Sequence, residues 1–200
     1  MRPEIDAWHF SGDEEMQTTI GNTAISDVSS SYPDYGYPGV VRLTSTDHGY
    51  KASVDLEKTN ISGNAIMVQG TTNYEGMHQV VAVAENTLDI VAPYVAETPA
   101  GTENLRPGFK FDHMVSFIGF TVHLNAASAT SENLVVQLDS NRGAAWDVIF
   151  DTQDMDTLSD YINMFSVPHI IEPNDEVHFS WSNTNNKLWG LTIFTQRYGG

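Results

Sequence analysis

The sequence predicts an all-β protein made of an extended N-terminal arm, a small antiparallel β-barrel and a C-terminal jelly-roll β-sandwich. Three observations carry this. Short runs rich in Val, Ile and aromatic residues recur along the chain, separated by Gly, Asn, Asp and Pro. In the C-terminal half these runs alternate apolar and polar residues with period two, the repeat of a half-buried strand. Charged residues make up only 18% of the 200-residue chain, and strand- and turn-forming Thr, Ser, Asn and Gly take their place.

Residues 1–39 read as the arm. Trp8, Phe10, Met16, Ile20, Ile25 and Val28 are sparse and without a clear period. The stretch Tyr32-Pro33-Asp34-Tyr35-Gly36-Tyr37-Pro38-Gly39 forbids a regular helix, because Pro removes a donor and Gly frees the backbone. So few apolar residues cannot offset the ordering entropy on their own. Aromatics are enriched at interfaces, so Trp8, Phe10, Tyr32, Tyr35 and Tyr37 are the expected contacts with a neighbouring subunit.

Residues 40–99 carry the barrel. Its strand runs are Val40–Leu43, Ala65–Gln69, Gln79–Val83 and Thr87–Val91, with Glu85-Asn86 as a tight hairpin turn. Residues 100–109 read as a linker, since Pro99, Gly101, Pro107 and Gly108 bracket it. Residues 110–200 carry the sandwich. Alternation is clear in Ile118–Leu124, Leu134–Leu138, Trp146–Phe150 and Val177–Trp181, and the run Leu188–Thr195 is partly apolar on both faces. Asp156–Phe165 is the one segment expected to be helical, with Thr157 as its cap.

Charge and composition narrow the partners. Twenty-six Asp and Glu face nine Lys and Arg, for a formal net charge of −17. Phosphate binding needs clustered Lys and Arg, and Arg42, Lys51, Lys58, Arg106, Lys110, Arg142 and Arg197 are scattered singly, so no nucleic-acid partner is expected. No run reaches the ~20 apolar residues of a membrane helix, and the first thirty residues lack the pattern of a signal peptide. Without cysteine there is no thiolate chemistry and no Cys-based zinc site.

The chain matches none of the nucleophile-elbow, zincin, P-loop or dinucleotide-binding patterns, and no enzyme activity or cofactor is expected. His9, His48, His78, His113, His123, His169 and His178 show no metal-ligand spacing; His123 and His178 would meet only if their strands paired. Asp151, Asp154 and Asp156 are the densest carboxylate cluster. They lack the Gly and distal Glu of a calcium loop and read as a solvated acidic turn. Asn60-Ile61-Ser62 has the pattern of a glycosylation sequon and reads as ordinary loop. Alternation assigns Trp146 and Trp181 to the core and leaves Trp189 open, so a carbohydrate-binding aromatic face is a minor alternative.

Two stretches carry a family resemblance. Thr46-Asp47-His48-Gly49-Tyr50, Gly70-Thr71-Thr72-Asn73-Tyr74-Glu75-Gly76, Asn86–Ile90 and Tyr94–Thr98 resemble a small barrel module of tailed-bacteriophage virion proteins, itself similar to the FCCH barrel of ubiquitin-activating enzymes. Its recurring residues are His48, Gly49, Gly70, Asn73, Tyr74 and Gly76 here, and they are structural. Between Gly49 and Val68 this chain is longer than the usual pattern. The C-terminal segments Leu138–Ser140, Asp151–Met155, Pro173–Asp175 and Trp189–Ile193 are similar to small phage β-sandwich proteins. The resemblance implies a capsid decoration, or cement, protein at the virion surface that bridges capsomers. It would bind the major capsid protein and associate with itself as a trimer or dimer. A tail, adaptor or fibre component is the alternative.

Overall fold

The computed structural model describes residues 5–13, 16, 27–30, 39–46, 48–51 and 65–197, with the backbone alone for residues 27–30. The described chain is all-β. Its strands are β1 (Ile5–Gly12), β2 (Asp27–Ser30), β3 (Val40–Thr44), β4 (Ala65–Gln69), β5 (Gly76–Ala84), β6 (Thr87–Val91) and β7 (Asn104–Arg106), then β8 (Gly108–Lys110), β9 (Val115–Leu124), β10 (Asn133–Asp139), β11 (Val148–Asp154), β12 (Asp160–Ile171), β13 (Glu176–Ser180) and β14 (Trp189–Arg197). Every ladder between them is antiparallel.

Strands β2–β7 form one six-stranded sheet in the order β2-β3-β6-β5-β4-β7. The hairpin expected at Glu85-Asn86 joins β5 to β6, with Ala84 opposite Thr87. Among the described residues no ladder joins β2 to β7, so the strand order is open where a closed barrel was expected.

The remaining strands form two four-stranded sheets, β1-β14-β9-β12 and β11-β10-β13-β8. Their inner faces pack on each other through aromatic rings. Phe120 of β9 lies edge-on to Phe179 of β13 at 5.1 Å, and Phe117 of β9 to Phe109 of β8 at 5.3 Å. The pairs are nested: β1 with β14, β8 with β13, β9 with β12 and β10 with β11. Successive pairs fall in alternate sheets. The six-stranded sheet is therefore inserted between the first and second strands of the sandwich.

Other expectations change as well. Residues 5–12, read as part of an arm, are edge strand β1 of the chain's own sandwich, and Phe10 is only 3% exposed. Asp6, Trp8 and Phe10 lie on the inner side. The outer side carries Ile5, Ala7 and His9, which are not uniformly polar, and this hid the period-two pattern. Residues 104–109, read as linker, hold β7 and all of β8 but its last residue, one strand in each module, and Asn104, Leu105 and Arg106 are buried. The segment expected as a helix instead turns into β12 from Asp160. Tertiary pairing with β9 overrides its weak cap signal.

Trp181 is buried as expected, and Trp189 is buried too. Trp146, expected in the core, is 59% exposed. It ends a single 3-10 turn, Ala144–Trp146, which precedes β11 and breaks the alternation there.

The modules share one continuous apolar core. The Tyr50 ring meets Trp189 edge-on at 6.3 Å. Backbone bonds from Asp13 N–H to Gly49 O (3.0 Å) and from Lys51 N–H to Ser11 O (3.0 Å) fasten the start of the insertion to β1.

Candidate functional site

His48, Gly49 and Tyr50 form the turn through which the six-stranded sheet meets the sandwich. The buried His48 ring accepts the Tyr50 N–H at Nδ1 (3.1 Å), which places its proton on Nε2, 2.9 Å from the Ala84 carbonyl. Burial lowers the His48 pKa, its hydrogen bonds to backbone carbonyls opposing this only in part. Tyr50 donates to Leu105 O at 3.1 Å from a buried position. The ring of His48 thus works as a staple and presents no reactive atom.

The Gly70–Gly76 turn is built the same way. Gly70 and Gly76 have φ of 83° and 108°, a region that a side chain would strain. Glu75 accepts the Gly70 N–H at 2.7 Å, and Glu97 accepts the N–H groups of Thr72 (2.6 Å) and Asn73 (2.9 Å). The buried Tyr74 hydroxyl donates to Val95 O (2.6 Å) and accepts from Val95 N–H (2.7 Å). Its proton is held more firmly than in a free phenol, chiefly because of burial. Asn73 is exposed at the tip. These interactions anchor the turn to the strand ends around it.

A polar junction that single-sequence reading did not find lies between the modules. Glu176 of β13 is approached by Gln69 Nε2 (2.5 Å) and Arg106 Nη1 (3.3 Å) from the six-stranded sheet, with His178 Nδ1 at 3.5 Å. Lys110 of β8 reaches across to Glu75 at 2.7 Å. Burial pushes the Glu176 carboxyl up, but His178 and the Arg106 guanidinium outweigh it and hold the carboxyl below its ordinary value. Asn104 Oδ1, Arg106 Nε and His178 Nδ1 are buried there without a hydrogen-bond partner. Gln69 and Glu176 lie 107 residues apart, so no local pattern announces the cluster.

The acidic cluster disperses. Asp151 accepts from Tyr161 Oη (2.7 Å) and Asn163 Nδ2 (2.9 Å), tying β11 to β12. Asp154 accepts from Ser131 Oγ (2.6 Å) and the Asp156 N–H (3.0 Å). Among the described residues no group of His, Asp and Glu is arranged to hold a metal ion. His123 faces Asp160 at 2.6 Å, while His178 lies in the other sheet, so the two histidines do not meet.

Of the expected arm contacts, Phe10 is in the core and Trp8 is half-buried, its Nε1 donating to Thr195 Oγ1 at 3.1 Å and its ring against Phe111. Tyr32, Tyr35 and Tyr37 lie outside the described residues. Exposed apolar residues gather elsewhere, on β12 and the edge of β1, where Ile5, Ile162, Met164, Val167 and Ile170 face outward. The signal that could have found them is an apolar residue on both sides of a strand, visible in Leu188–Thr195 but masked in β12 by its helix-like start.

No helix among the described residues is long and apolar enough to cross a membrane. No family model, no curated protein and no solved structure matches the chain.

Proposed function

We propose that this chain is a non-enzymatic structural protein of a bacteriophage virion, most specifically a capsid decoration protein that bridges capsomers. The nested strand pairing carries the reading. A ribbon of eight strands folded at the β10–β11 hairpin and wrapped so that successive pairs alternate between sheets is a jelly roll, an architecture recurrent in viral capsid and lectin domains. The six-stranded insertion is read as the counterpart of the small virion module, as an open sheet with His48 and Tyr74 as its staples. The polar junction at Glu176 fits a fixed relative position of the two modules, as bridging between capsomers requires.

Quantitative mass spectrometry of purified particles tests this. A copy number that follows the capsid lattice supports decoration, and about a dozen copies or fewer supports the tail alternative. Particles that lack the chain overturn both.

A second reading has one observation in its favour. Trp146 is exposed on a loop, with the Arg142 guanidinium 5.9 Å from its ring centroid, and jelly rolls also serve as lectins. Glycan-array binding abolished by Trp146→Ala would favour that reading over the virion role.

A further inference from the structure

The two outer faces of the sandwich differ in charge. On the β11-β10-β13-β8 sheet, Asp139, Glu176 and Lys110 lie in one cross-strand row, and Asn133 lies opposite Asp154. The six-stranded sheet meets that face through Gln69, Arg106 and Glu75, and the start of the insertion also abuts the β1 edge, where Ser11 Oγ donates to Lys51 O at 2.8 Å. The β1-β14-β9-β12 sheet is the opposite case. Its outward positions form four rows in register: Ile5–Gln196–Ser116–Ile170, Ala7–Phe194–Gly119–Met164, His9–Thr192–Thr121–Ile162 and Ser11–Gly190–His123–Asp160. Only the last row holds a carboxylate, at the sheet's edge and paired with His123 at 2.6 Å, and no row holds Lys or Arg. Ile5 is 58%, Ile162 67%, Met164 50% and Ile170 46% exposed.

We propose that this face is where a second copy of the chain packs, sheet against sheet about a two-fold axis. Charge selects the occupant. The chain carries a net charge of −17, so two copies repel over long range. A two-fold contact also brings each residue near its own copy, so a carboxylate near the axis would meet a carboxylate. A face with neutral central rows avoids this, whereas a basic partner would be drawn to an acidic face. Sheets stack about 10 Å apart with interleaved side chains, and Ile162, Met164 and Phe194 supply the apolar centre. Strand spacing and rise give the face about 500 Å² per copy, or about 1,000 Å² in the pair. That is the lower limit for a specific interface and fits a weak, concentration-dependent dimer. The inference uses register and charge alone and does not rest on the virion reading.

Sedimentation velocity on the full chain, from micromolar to near-millimolar concentration and at low and high NaCl, tests it. The expected result is a monomer–dimer equilibrium that tightens with salt, because screening relieves the repulsion between the copies. Met164→Glu and Ile162→Glu are each expected to weaken the dimer at least about ten-fold with an unchanged circular-dichroism spectrum and melt. Val148→Glu, an equally exposed apolar position on β11 of the other sheet, is expected to leave it intact. A chain that stays monomeric, a closed oligomer larger than two, or Met164→Glu dimerising as tightly as the native chain overturns the proposal. So does Val148→Glu weakening the dimer as much as Met164→Glu.

Discussion

Arg106 at the end of β7 and Glu176 at the start of β13 meet at 3.3 Å with both side chains buried, joining the inserted sheet to the sandwich. A buried ion pair costs solvation on both sides, and removing one partner strands the other. Arg106→Ala leaves the Glu176 carboxylate in the interior with Gln69 and His178 beside it, and is expected to destabilise the protein by about 3–5 kcal/mol. The double variant Arg106→Met with Glu176→Met removes both charges and should be less destabilised than Arg106→Ala alone. Urea denaturation of the three proteins measures the difference.

Glu176 and Glu103 together set an acid limit. Burial pushes the Glu103 carboxyl up, and the N–H groups of Ala100 (2.6 Å), Gly101 (2.8 Å) and Thr102 (3.0 Å) reverse this and hold it below its ordinary value. Both carboxyls are therefore depressed in the folded state, and the unfolded chain binds more protons across that window. Their contribution is fully present above the unfolded carboxylate value near 4.5 and is lost as pH falls through the lower folded values. Thermal melts from pH 7 down to pH 3 should show Tm falling on the acid side. Glu103→Gln should lower stability at pH 7 by about 2 kcal/mol and flatten that fall.

What could be read from single residues was local. Gly70, Gly76 and the Glu85-Asn86 hairpin act within a few positions, and β4 and β6 are short apolar runs between breakers, so the sequence displayed them. β12 was hidden because Ile162 and Met164 on its outer side remove the alternation, while Thr157 and Asp160 imitate a helix start. β1 was hidden because its partner β14 lies at the other end of the chain, and strand identity there comes from pairing. The Glu176 cluster draws on three segments, β4, β7 and β13, that only the folded chain brings together.

Because β1 belongs to the sandwich, the N-terminal residues should matter for folding. Phe10 is buried in the shared core beside the start of the insertion. Phe10→Ala is expected to cost about 3–5 kcal/mol, read as a lower midpoint in urea. Deleting residues 1–12 uncovers the β14 edge and removes Trp8 and Phe10 together. A truncated chain that melts like the native one would return these residues to the status of a detachable arm.

Gly119 offers the sharpest test of the sheet that carries the uncharged face. It sits at a bulge in β9, opposite Met164 of β12 and Phe194 of β14, with φ of 156°. A Cβ there would lie 2.3 Å from Asn163 O and 2.8 Å from Met164 Cα, contacts that backbone cannot yield cheaply. Gly119→Ala must therefore push β12 away from β9, loosening the ladder between Asp160 and Ile171. The strain adds to the loss of inter-strand bonds, and the expected cost is about 2–4 kcal/mol. Hydrogen exchange should show the loss first in β12, ahead of β10 and β13 in the opposite sheet. Gly143→Ala serves as the control, because it too has a positive φ but nothing lies within 4 Å of its Cβ position. Gly143→Ala should carry the backbone penalty alone, and a Gly119→Ala no more destabilising than it would show that β12 can shift without cost.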